Sequence, residues 1–148
     1  MGKYTDRIRE IKDKVTSDPQ ALKLIENVLV KATDYIRQIE RTERILAIHQ
    51  GSYDFQDKFA NADKLRTIKH NALISDLTIA NRYLFKEYGT DEIPEGGLFV
   101  GPVEQFHQRE VIGDWAVELV TEMRREEHER EMERQRGEGQ NMGGSARL

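Results

Sequence analysis

Apolar residues recur along most of this chain at steps of three and four, the spacing that lines one face of an α-helix. Tyr4, Ile8, Ile11 and Val15 make the first stripe and predict a helix over about 4–16. Ser17-Asp18-Pro19 closes it and opens the next helix, with Asp18 as N-cap and Pro19 at the first helical position. From Pro19 to about His49, Leu22, Ile25, Leu29, Ala32, Ile36, Ile39 and Leu46 form a heptad-like seam that Glu43 interrupts. Val28, Tyr35, Ile45 and Ile48 widen that seam, so this second helix is expected to meet two neighbours. Gly51 suits the left-handed residue after a helix and Ser52 the next N-cap, which predicts a third helix from about Tyr53 to Tyr88, stopping at Gly89. So short a connection makes helices two and three an antiparallel hairpin.

The pattern breaks over 89–101, GTDEIPEGGLFVG. Ile93, Leu98, Phe99 and Val100 give this stretch apolar weight, so it is expected to dock on the end of the bundle, with Gly96 and Gly97 allowing close backbone approach. A fourth helix is expected from about Pro102, with Phe106, Ile112, Trp115, Ala116, Leu119, Val120 and Met123 turned inward and Gly113 marking a close packing contact. After Met123 the stripe ends. Residues 124–136 hold five Arg, five Glu and a single Met, too polar for a core but able to continue as a solvated helix. Residues 137–148 have the composition of a disordered tail. The fold class is therefore all-α: an antiparallel bundle of four helices, one short and three long, forming one domain over 1–136.

Composition adds exclusions to this picture. With no cysteine among 148 residues, disulfides and thiolate metal sites are ruled out. A formal net charge of −4 makes nucleic acid an unlikely partner, because neutralising phosphates needs a clustered basic surface. No apolar run approaches membrane-spanning length, and no signal peptide opens the sequence, so the expected setting is the cytoplasm. Glu40 with Glu43, and Glu104 with His107, have spacings used in helical metal sites. Neither is complete, and neither a metal nor another cofactor is expected. No phosphate loop or nucleophile elbow is present.

The third helix carries the one unusual chemistry. Leu73, Ile74, Leu77, Ala80, Leu84 and Tyr88 gather on one side of it, and His70 and Asn81 fall on that same side, with Arg66 a turn earlier. A buried polar group left without a partner costs roughly 1–3 kcal/mol, so these residues call for partners, and Glu40 and Glu43 of helix two are the expected ones. Arg66, His70, Asn71, Ser75, Asn81 and Arg82, with Glu43, are thus the candidate ligand-binding residues. The same set is also expected, and more readily, as an internal network that fixes helix register. Two classes of function follow. One is a non-enzymatic protein that acts by binding, as a homodimer or with a protein partner. The other is a small helical enzyme or ligand sensor around His70, lidded by 89–101.

Arg66, His70, Ala72, Leu73, Ile74, Asn81 and Arg82, followed by Arg109, Val111, Gly113 and Asp114, resemble two blocks of a family of small uncharacterised bacterial helical proteins, the domain of unknown function 3232. The resemblance implies a helical fold in which helix three matters, and it implies no activity.

Overall fold

A computed structural model describes residues 2–146 apart from His107, with side chains as far as Gly137. Four α-helices and one 3-10 turn follow one another: α1 (Lys3–Lys14), α2 (Pro19–His49), α3 (Phe55–Glu92), the 3-10 turn Val103–Gln105, and α4 (Arg109–Ala146). The all-α reading holds for the described residues. The expected disorder of 137–148 concerns a stretch whose side chains, beyond Gly137, lie outside them.

Helix α2 begins and ends where its punctuation predicts. The Asp18 side chain accepts the Ala21 N–H at 3.1 Å, and Pro19 takes the first turn. Asp18 does more than cap: the hydroxyls of Tyr83 and Tyr88 each donate to its Oδ2 at 2.9 Å, tying the start of α2 to the end of α3. The Ala21 amide and the two tyrosine hydroxyls hold this carboxyl below the usual range, and Asp18 in turn pushes Tyr83 up to about 12. Further along, the Tyr35 ring stands edge-on to His70 at 5.4 Å, and Gln38 Nε2 donates to Ala62 O at 3.3 Å. Partners on α3 fall in number as those on α2 rise, so the two helices form the antiparallel hairpin that the short turn at Gly51 (φ +89°) requires.

Three boundaries differ from expectation. Helix α3 starts at Phe55, with Asp54 rather than Ser52 before it, because Ser52 is spent on a turn: its N–H bonds to His49 O and its carbonyl accepts from Phe55. The helix does break at Gly89 (φ +81°, ψ 171°), but the chain resumes helical geometry to Glu92 before leaving it. Helix α4 starts at Arg109 and not at Pro102, because the proline opens a 3-10 turn instead.

The core gathers residues from every α-helix. Ile8 and Ile11 of α1, with Val15 just after it, meet Ile25, Val28 and Ala32 of α2, Leu73, Leu77, Ala80 and Leu84 of α3, and Ile112, Trp115, Ala116, Leu119 and Val120 of α4. Ile93, Leu98 and Phe99 are buried with them, so the connection after Gly89 docks as its apolar weight predicts. Trp115 packs against Phe99, whose other neighbour is Phe106 at 5.3 Å, edge to face. Gly113 is a close contact as expected, since a β-carbon there would lie 3.3 Å from Tyr35 Oη.

Helix α1 is held by a distant residue. Its N-cap, Gly2, offers no side chain, and the carboxylate of Glu122 on α4 takes the role: Tyr4 and Thr5 both donate their N–H to Oε1 at 2.9 Å. A helix N-terminus carries unpaired N–H groups and partial positive charge, so a carboxylate there satisfies both at once. Next to it, Glu126 receives Arg9 at 3.0 Å and the Thr5 hydroxyl at 2.8 Å.

Candidate functional site

The polar residues of α3 do not converge. Arg66 pairs with Asp63 of its own helix at 2.9 Å. His70 is 2% exposed, and its Nε2–H donates to Arg109 O at 3.2 Å; Nδ1 has no partner among the described residues. Asn71, Ser75 and Arg82 are exposed. Glu40, one expected partner, instead forms a two-pronged pair with Arg124 at 2.9 Å, which holds its carboxyl below the usual range. Glu43 is exposed, and the Gln38–Ala62 contact puts it several residues nearer the hairpin tip than the level of Arg66. A continuous network of Arg66, His70, Asn81 and a helix α2 carboxylate does not form: helical spacing puts side chains on one face, but each finds a different nearby acceptor.

What His70 does is fasten the start of α4. The Arg109 backbone carbonyl accepts the hydrogen bond from His70, and the Arg109 guanidinium Nη2–H donates to Thr67 Oγ1 at 2.9 Å. Tyr35 of α2 covers the imidazole edge, and Gly113, one turn after Arg109, leaves room for the Tyr35 hydroxyl. His70 therefore sits at a three-helix junction sealed from solvent.

Asn81 does border open space. Its amide spans the glycine loop: Nδ2 donates to Gly96 O at 3.0 Å, and Leu98 N–H donates to Oδ1 at 3.0 Å. From the other side, Arg7 Nη1 donates to Glu95 O at 3.1 Å and to Gly97 O at 3.0 Å. The loop is thus clamped through its backbone between α1 and α3. Gly96 (φ +88°) and Gly97 (φ +58°) take conformations that L side chains rarely adopt. Outside this clamp lies an open, largely apolar concavity of about 620 Å³, bordered by Thr78, Asn81 and Phe85 of α3, by Ile93, Glu95 and Gly96 of the loop, and by Val103 and Phe106. The loop forms part of its wall, and the hollow faces Asn81 and not His70.

Sequence reasoning missed Arg7 and Glu122. Both act on backbone atoms far away in sequence, and an Arg or Glu on a helix in a chain with 34% charged residues carries no sign of such a task.

The family model for a protein of unknown function (DUF3232) matches residues 2–129. The match takes in α1, α2, α3 and the part of α4 that packs against them, with both the His70 and the Arg109 segments inside it. No curated protein matches the chain. Among the described residues, no helix is long and apolar enough to cross a membrane.

Proposed function

The chain belongs to that family of unknown function, DUF3232, and on this footing we propose that it is a non-enzymatic protein of the bacterial cytoplasm that acts by binding, as a homodimer. The observation that carries this reading is the exposed apolar surface of the α2–α3 hairpin. Leu46, Ile48 and Tyr53 are exposed around its tip, and Leu65, Ile68 and Ile79 along the outer side of α3. Scattered apolar residues are ordinary on a surface, but seven large ones on a single hairpin, with Val30 of α2 the seventh, favour a surface that meets protein. His70 supports the same reading from the other direction, since its ring is sealed in a junction that links three helices. Light scattering on the purified chain at micromolar concentration tests the proposal: a mass of twice the 17.2 kDa protomer is expected, and a monomer counts against it.

A second reading rests on the hollow beside Asn81. Its size and apolar lining suit a small hydrophobic ligand, with the Thr78 hydroxyl and the Glu95 carboxylate as polar contacts. A thermal-shift panel of metabolites tests it; a compound that raises the melting point of the wild type but not of Phe85→Asp would favour this reading.

A further inference from the structure

The outer side of α3 carries a second stripe, opposite the one that faces the core. Leu65, Ile68, Ala72, Ser75, Ile79 and Arg82 follow one another at alternating steps of three and four, the spacing of a coiled-coil seam. The core residues His70, Leu73, Leu77, Ala80 and Leu84 lie roughly half a turn away around the helix. The large members of the outer stripe are open: Leu65 is 43% exposed, Ile68 52% and Ile79 47%. Between them stand Ala72 and Ser75, small enough to let another helix approach closely. The stripe is about 25 Å long at 1.5 Å per residue.

Building on the homodimer reading, we propose that a second copy of this chain packs on this face, with the two α3 helices antiparallel about a two-fold axis between Leu73 and Ile74. That arrangement sets Ile68 of each copy against Ile79 of the other, and Ala72 against Ser75. Charge selects the direction. Lys69 and Asp76 flank the stripe on one side, one heptad apart, and neither has an ion pair among the described residues. In the antiparallel pair, Lys69 of each copy faces Asp76 of the other, giving two attractive contacts. In a parallel pair with the same seam, Lys69 would face Lys64 of the other copy, a repulsion repeated by symmetry. On the opposite flank the antiparallel pair sets Asn71 beside Thr78, which is compatible with hydrogen bonding and carries no charge penalty.

Sedimentation equilibrium of the full chain tests this with Lys69→Asp, Asp76→Lys and the double reversal. Each single reversal turns two attractions into two repulsions and is expected to weaken the dimer about tenfold or more, while the double reversal restores it. An equimolar mixture of the two single variants is expected to dimerise like wild type, because every facing pair in the mixed dimer is again opposite in charge; this arm succeeds only if both variants fold. A dimer indifferent to the single reversals, or one that neither the double variant nor the mixture restores, overturns the antiparallel α3 pairing while leaving self-association standing. A monomeric wild type overturns both.

Discussion

Gly97 lies so close to Asn81 that a β-carbon added to the glycine would stand 2.4 Å from Asn81 Oδ1. The two residues form one device: the amide needs the loop backbone at hydrogen-bond distance, and the backbone reaches it only where no side chain intervenes. Gly97→Ala combines that collision with a left-handed φ of +58°, and is expected to cost about 2 kcal/mol or more. Asn81→Ala removes both loop hydrogen bonds and leaves the Leu98 N–H without its acceptor, for about 2–3 kcal/mol. Urea denaturation measures both, and the double variant should cost less than the sum, since the alanine at 81 relieves the collision.

Glu122 makes a sharper case, because one carboxylate supplies the cap that α1 lacks. Glu122→Ala leaves the Tyr4 and Thr5 amides unpaired at a helix start and should cost about 2–3 kcal/mol. Glu122→Gln keeps an acceptor oxygen and loses the charge, so it should cost less than half as much. Proteolysis near Lys12 and Lys14 checks where the damage falls: the alanine variant should be cut there well before wild type, through undocking of α1.

The contrast between these two sites explains what the sequence could disclose. Asp18 as a cap, Pro19, Gly51 and Gly89 act on neighbours within a few positions, and each sits where local chemistry placed it, while the bonds from Tyr83 and Tyr88 to Asp18 span most of the hairpin and left no such mark. The buried faces of α1 and α3 followed from spacing and the docking of Leu98 and Phe99 from the apolar weight of their loop, whereas Leu46 and Ile48, read as part of the α2 seam, lie exposed because α2 there runs past the neighbours that would cover it. Asn81 and His70 were legible as polar residues on an apolar face, but their partners are backbone atoms of the loop and of Arg109. A carbonyl belongs to every residue and leaves no mark in a sequence, so side-chain partners such as Glu43 were sought instead. Glu122 and Arg7 went unseen for the same reason, and Pro102 misplaced the start of α4 because a proline opens a 3-10 turn as readily as a helix.

His70 is expected to be architectural. Replacing it with Ala opens a void beside Tyr35 and frees the Arg109 carbonyl, for a loss of about 2–4 kcal/mol. Arg109→Ala keeps that carbonyl and removes only the exposed bond to Thr67, so it should cost under about 1 kcal/mol. Thermal melts of the two variants separate the cases; equal and small losses would mean that the His70 contact contributes little to the junction.

Acid sensitivity should arise at the α1–α4 contact. The Arg9 guanidinium, helped by the Thr5 hydroxyl, holds the Glu126 carboxyl down at about 2, against an ordinary value of 4.5. The folded-state pKa is the lower one, so the ionised group stabilises the fold above about pH 4.5, and that contribution drains away as pH falls through the folded value. Glu126→Gln cannot titrate. It should therefore be less stable than wild type near neutral pH, and the gap should narrow steadily between about pH 4.5 and about pH 2. Asp18 and Glu40 are depressed as well, so wild type and variant will both weaken in acid, and the informative quantity is the difference between them. Urea midpoints taken across that window supply it. A gap that stays constant with pH would mean that the Glu126–Arg9 contact does not contribute through its charge.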